Sequence, residues 1–383
     1  MTLPDILANE ELRRHEFPVA NERLFFAHAG VCPLPRRVAE AIRNYAKQCT
    51  LGDQETLLPA FQLQRSRELA ARLLHAQPEE IAFVGPTSLA LSFISGGIAI
   101  EQGANVVGYF DDYPSNVYPW MALAEKGVAV HSIRVRELGR IELSDVAAHV
   151  DERTRLVALA SCHFVAGHRI DLKSIGGYLR SRRILFCVDA IQTLGAFPTT
   201  VEEIDFLAAD AHKWLLGPCA AGILYVRKTL QEATKPTAFG WNNVRCPDFV
   251  AAETMVLRTD ARRYEAGTHN LLGLVGLNAA MELVLEIGIE SISAELLRKR
   301  GWLVPALQAK GCIVLQAEAS EFQAGGIISF WRPGTDLAAL QQKLEKANIT
   351  VSLRADRAGQ KYIRLSPHFY NTDAELHRLL ELL

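Results

Sequence analysis

Ala208-Ala209-Asp210-Ala211-His212-Lys213-Trp214-Leu215-Leu216-Gly217-Pro218, together with Val188-Asp189-Ala190-Ile191-Gln192 upstream of it, decides the reading of this chain. Each stretch grows out of a short apolar run, Ile204-Asp205-Phe206-Leu207-Ala208-Ala209 in one case and Ile184-Leu185-Phe186-Cys187-Val188 in the other. Apolar runs of that length, alternating with amphipathic segments, predict buried parallel strands. Asp189 and Lys213 then fall just past the carboxyl ends of two strands, the edge at which open α/β sheets bind ligands.

Outward from this pair, further strand-like runs occur at Ala82–Val84, Asn105–Phe110, Val128–Ile133, Leu156–Ala160 and Gly222–Val226. Helix-like segments such as Arg65–His75 and Ile175–Arg182 separate them, so the expectation is an α/β fold with a mainly parallel seven-stranded sheet. Leu271–Ile287, apolar with Glu282 and Glu286 at helical spacing, predicts a long linking helix. Beyond it, Ile327–Trp331, Thr350–Leu353 and Tyr362–Ser366 read as strands interleaved with helices over Asp336–Ala347 and Thr372–Leu383, a smaller α+β domain. The expected divisions are an N-terminal segment (1–20) packing with the small domain, a large domain (21–270), and a linking helix with the small C-terminal domain (271–383). No internal repeat or low-complexity linker is evident.

The 383 residues suffice for two domains around a large core, and 49% hydrophobic with 22% charged content is ordinary for a globular chain. A formal net charge of −2 gives no footprint for nucleic acid or an anionic membrane. Seven cysteines without CxxC spacing fit a reducing cytoplasm better than a disulfide framework or a zinc site. His163, His168, His28 and Cys162 match no closed zinc pattern, so no metal is expected. Met1–Glu16 lacks the apolar core of a signal peptide. Ile81–Ile100 is uncharged and long enough to cross a bilayer, but Gly85, Pro86 and Gly96-Gly97 interrupt it. It reads as a strand, a turn and a buried helix starting near Thr87.

An acid and a lysine at adjacent strand ends suit pyridoxal phosphate, with the amine bonding the cofactor and the carboxylate keeping its pyridine nitrogen protonated. Lys213 lies between an apolar strand and Trp214-Leu215-Leu216, where a solvated lysine is out of place. Burial lowers an amine's pKa, as imine chemistry requires. Gly85-Pro86-Thr87-Ser88 offers a phosphate the N–H groups and positive dipole end of a helix, although Thr and Ser are also ordinary caps. Asp189 could equally cap the next turn, and Gln192 could equally be a surface residue. Tyr113, in Asp111-Asp112-Tyr113-Pro114, is placed either to stack on a pyridine ring or to pack against Pro114. Arg364 points opposite to Ile363 and Leu365, as a carboxylate fork or as a surface charge.

Taken together, Asp189-x-x-Gln192, His212-Lys213-Trp214 with Gly217-Pro218, Tyr264-Glu265-Ala266-Gly267-Thr268 and Arg364-Leu365-Ser366-Pro367-His368-Phe369-Tyr370-Asn371 resemble the class V aminotransferase and cysteine desulfurase group of fold-type I pyridoxal-phosphate enzymes. The likeness runs from His28-Ala29-Gly30-Val31 to Tyr370-Asn371-Thr372. It implies Lys213 as the cofactor-bearing lysine, Asp189 as partner of the pyridine nitrogen and Gln192 as partner of the phenolic oxygen. It further implies Thr87, Ser88 and His212 as phosphate ligands, with Tyr113 at the ring-stacking position. Thr268 is similar to the residue that reaches the phosphate of a neighbouring subunit, which implies a homodimer. Arg364 is similar to the arginine that holds the substrate carboxylate, and His28 and Arg354 are further expected at the substrate.

Three departures qualify the resemblance. The loop Arg354-Ala355-Asp356-Arg357-Ala358-Gly359-Gln360-Lys361 lacks the desulfurase cysteine, Tyr113 stands where desulfurases often have histidine, and Asp210 replaces a common serine. An acid beside a phosphate is repulsive, so Asp210 must turn away or be held by another group. The leading expectation is an amino-acid aminotransferase. A carbon–sulfur lyase without an enzyme persulfide comes second and an epimerase third. A silent binding module would need a lost lysine or an added recognition domain.

Overall fold

The computed structural model describes every residue of the chain except Pro59. The seven strands of its large sheet, numbered in chain order, are β1 (Ile81–Val84), β2 (Asn105–Gly108), β3 (Ala129–Ser132), β4 (Thr154–Ala160), β5 (Leu185–Asp189), β6 (Phe206–Asp210) and β7 (Gly222–Val226). They lie in the order β1-β7-β6-β5-β4-β2-β3. Only β7 runs against its neighbours, pairing antiparallel with β1 and β6. Side chains of the central strands alternate between two cores. Phe186, Val188, Leu207 and Ala209 join one face, and Cys187, Phe206 and Ala208 the other. Burial on both faces is why these strands read as unbroken apolar runs.

The small domain carries an antiparallel sheet in the order Ser352–Ala355, Lys361–Leu365, Ile328–Trp331, Ile313–Val314. Its own core includes Ile328, Phe330, Ile363 and Leu365. The expected helix spans Leu271–Ile287 and ends at Gly288, whose φ of 89° favours glycine. No single helix among the described residues is long and apolar enough to cross a membrane.

Three expectations need correction. The run Thr350–Leu353 is not one strand. Ile349–Thr350 pairs parallel with Leu24–Phe25, and Ser352–Ala355 turns into the four-stranded sheet. Leu24–Phe25 therefore joins the small domain's chain rather than the large one. The N-terminal segment also touches both lobes. Arg13 bonds Glu375 and the Tyr370 carbonyl of the small domain, but Leu3, Ile6 and Phe17 enter the larger core and the Met1 amine pairs with Glu286.

Candidate active site

Strand ends gather the predicted residues around one cavity of about 240 Å³ lined by Thr87, Ser88, Tyr113, Asp189, Gln192, His212, Lys213, Arg354 and Arg364. Asp189 closes β5, and its Oδ1 accepts from the Ile191 N–H at 3.0 Å. Lys213 lies just past β6 and is 7% exposed. Among the described residues its Nζ has no hydrogen-bond or ion-pair partner, and the face of the Tyr113 ring is 5.3 Å away. Burial pushes the Asp189 carboxyl up, aided by the charge of Asp112, and pushes the Lys213 amine down. Two buried opposite charges that share a cavity without touching leave room for a group between them.

The lysine turn is built for rigidity. The Trp214 indole N–H donates to Gln192 Oε1 at 2.9 Å, and His368 Nε2 contacts the Trp214 carbonyl at 3.0 Å. At Gly217 an added Cβ would lie 2.6 Å from the Ala211 side chain, so only glycine closes the turn. Asp210 is the acid expected to turn away or be held by another group, and its carboxylate is held by the backbone N–H groups of Ala211, Ala220 and Ala221 and by His212 Nδ1.

Thr87 and Ser88 open the helix Thr87–Gly97 directly after β1 and Gly85-Pro86. Thr87 Oγ1 accepts from the Asp210 N–H at 3.0 Å, and Ser88 Oγ meets Ser115 Oγ at 2.9 Å. Opposite them, Arg354 and Arg364 come from neighbouring strands of the small sheet, where Ser352 pairs with Arg364. Arg364 donates from Nη1 to the Phe164 carbonyl at 2.7 Å, and its buried Nε has no partner. Burial, then repulsion from Arg354, disfavours its charged form. Neither arginine has a carboxylate partner among the described residues.

Other predicted residues fall elsewhere. His28 is wholly buried behind the cavity, with Nδ1 on the Ser366 carbonyl at 2.9 Å and Nε2 on the Tyr370 hydroxyl at 2.7 Å. Both ring nitrogens are used within the protein, and His28 is absent from the cavity wall. It braces the 366–370 segment. Gln192 lines the cavity, but its amide already serves Trp214 and the Ala29 carbonyl. Thr268 is outside this cavity and donates to Glu55 at 2.8 Å.

Sequence reasoning missed Phe164 and Ser115 in the cavity wall, the buried Asp112 beneath Tyr113, and the role of Glu265. Asp112 accepts from the Tyr113 N–H and Asn116, which fixes the loop that carries the ring. The cue for Asp112 was an acid a few residues past the carboxyl end of a buried strand, whereas Asp189 ends its own strand.

The family model for "Aminotransferase class-V" matches residues 24–379. The chain belongs to the class V aminotransferase family. A probable cysteine desulfurase of Methanothermobacter thermautotrophicus is 30% identical over 98% of this chain and 98% of its own. An uncharacterized aminotransferase of Bacillus subtilis is 28% identical over 97% of this chain and 96% of its own. In fold, the apo cysteine desulfurase of Thermococcus onnurineus superposes with a TM-score of 0.89 at 23% identity, covering 100% of this chain and 97% of that one. A cystine C-S lyase in complex with its product cysteine persulfide gives 0.87 at 23%, covering 95% and 98%. This class V enzyme is thus a pyridoxal-phosphate-dependent enzyme acting on amino acids. The unpartnered Lys213 amine, the separate Asp189 carboxylate and the helix end at Thr87 fit that cofactor.

Proposed function

We propose that this enzyme moves the amino group of an α-amino acid, as an aminotransferase of class V type, with Lys213 as its cofactor-bearing base. The observation that carries this reading is the buried Lys213 amine, free of any partner among the described residues and facing Asp189 and Arg364 across one cavity. Thr87, Ser88 and His212 would hold the phosphate, and Asp189 the proton on the pyridine nitrogen. When bound, the cofactor supplies an electron sink that makes the substrate's α-C–H acidic. Lys213, driven towards its neutral form by burial, is the group that takes up and redelivers the α-proton. Arg364 receives the substrate carboxylate in a bidentate contact, with Arg354 beside it. Tyr113 presents its ring face to the lysine.

Thr268, outside its own chain's cavity, supports a homodimer in which it serves the neighbouring site. The set of unpaired cysteines supports a cytoplasmic location.

A second reading is direct β-elimination of sulfur from cysteine or cystine. Support comes from the fold likeness to a cystine C-S lyase and from a cavity wall that contains no cysteine. A screen of amino acids that follows keto acid, sulfide and the amine form of the cofactor separates the two. Keto acid with cofactor amine supports transamination, and sulfide with pyruvate supports elimination.

A further inference from the structure

Asp210 ends β6 beside the lysine turn, and the chemistry above makes no use of it. Its carboxylate is 1% exposed, and His212 is its one ion-pair partner among the described residues. Both oxygens are filled, Oδ1 by the N–H groups of Ala211 (2.8 Å) and Ala221 (3.0 Å), Oδ2 by the Ala220 N–H (3.1 Å) and His212 Nδ1 (2.8 Å). A carboxylate surrounded by donors can only accept, so His212 must carry a proton on Nδ1. Nε2 has no hydrogen-bond partner among the described residues, and His212 shares the cavity wall with Thr87 and Ser88. The Thr87 hydroxyl oxygen already accepts from the Asp210 N–H, which leaves its own proton to donate. Asp210 therefore organises both residues through different atoms.

We propose that Asp210 is a positioning residue for the cofactor phosphate, holding His212 as an imidazolium whose Nδ1–H binds Asp210 and whose Nε2–H binds a phosphate oxygen. A neutral ring with its proton on Nδ1 would aim a lone pair from Nε2 at the anion, which is repulsive. A proton on both nitrogens makes each contact attractive and balances the buried carboxylate. The acid in place of a serine is then a charge relayed through histidine to the phosphate, not a repulsive defect.

This inference rests on reading the cavity as the cofactor site, and its test keeps the two apart. Apoprotein of the wild type, Asp210→Asn, His212→Asn and the double variant is titrated with pyridoxal 5′-phosphate and with pyridoxal, which lacks the phosphate. The loss of one charge-assisted contact should weaken pyridoxal-phosphate binding by about 10- to 100-fold in Asp210→Asn, while pyridoxal binding stays within about twofold. The double variant should lose less than the product of the single losses. Nitrogen-15 NMR of the loaded wild type should show His212 protonated at both ring nitrogens.

Equal losses for both ligands would reduce Asp210 to a brace of the turn and overturn the proposal, as would a neutral His212 in the loaded protein. Borohydride reduction with peptide mapping distinguishes the remaining failure. A pyridoxyl label away from Lys213 sinks the cavity reading itself. A label on Lys213 with unchanged phosphate selectivity sinks only the role of Asp210.

Discussion

Glu265→Gln should cost this protein about 3 kcal/mol of stability at neutral pH, in the range typical of breaking a buried ion pair. Glu265 sits in the Tyr264–Thr268 segment with its side chain 1% exposed, and its carboxylate takes four hydrogen bonds. Arg67 supplies two of them at 2.6 and 2.7 Å, the Phe83 N–H a third at 2.7 Å and His269 a fourth at 2.9 Å. An amide of the same shape turns an NH2 group towards donors whichever way it is placed, and it leaves Arg67 buried without a countercharge. Titration leads to a similar figure. Burial pushes the Glu265 pKa up, but Arg67 and His269 outweigh it and bring the folded value from 4.5 to about 2. A shift of that size corresponds to roughly 3 kcal/mol favouring the ionised folded form.

Because the folded pKa is depressed, this stability is fully present above pH 4.5 and fades as pH falls towards about 2. Urea unfolding of both proteins at pH 7 and again near pH 3.5 reads the effect. The variant's midpoint should be clearly lower at pH 7, and the gap should narrow in acid. Phe83 belongs to β1, which leads into the Thr87 helix end, so cofactor retention should fall with stability. Equal midpoints at pH 7, or a gap indifferent to acid, would refute the reasoning.

Other expectations concern the chemistry. Lys213→Ala should abolish turnover and borohydride labelling while leaving the circular dichroism spectrum unchanged; a pyridoxyl label retained on another lysine would reassign the base. Arg364→Ala should lower kcat/KM for amino acids by about 2–4 kcal/mol with little change in cofactor content, and wild-type kinetics would shift the carboxylate contact to Arg354. Cys219→Ser should leave any sulfide release from cysteine intact, because Cys219 is exposed, off the cavity wall, and its thiol is pushed up by partial desolvation and by the charge of Asp210. Alanine accumulating from cysteine, together with loss of activity in that variant, would restore a persulfide mechanism.

The large sheet is legible in the sequence because its central strands are buried on both faces and leave apolar runs that surface segments seldom imitate. Each of the seven expected runs overlaps a strand, with ends displaced by a residue or two. The two-residue strands Leu24–Phe25 and Ile313–Val314 are invisible for the opposite reason, since so short a strand has no periodicity. Asp189 and Lys213 stand out as charges at the ends of apolar runs. The packing of His28 is not legible because its partners, Ser366 and Tyr370, lie 338 and 342 residues away and leave no local mark. Glu265 has the same difficulty with Arg67, 198 residues distant, although its motif is visible. Asp210 shows the intermediate case. The sequence exposes an acid that needs an explanation, and only the fold of the 210–221 turn supplies one.

On the proposed reading, the arrangement of charge across the cavity gives the substrate one orientation. Lys213 shares one cavity with Asp189 from the large sheet and with Arg354 and Arg364 from the small one. The two arginines repel each other, and burial adds to the cost of keeping Arg364 charged. An arriving carboxylate relieves both penalties at once, so the small sheet is strongly disposed to bind that end of an amino acid. With the carboxylate fixed there, the α-amine is directed to the lysine and the α-hydrogen to its reach. Nothing in this layout selects a side chain. The wall near Lys213 offers Tyr113, Phe164 and Ser115 rather than a charged fork, and no thiol. On that reading the α-carbon has one place and the substrate's identity is left to these few neutral residues, which makes Phe164 the position at which substitution should redirect substrate preference without loss of the cofactor.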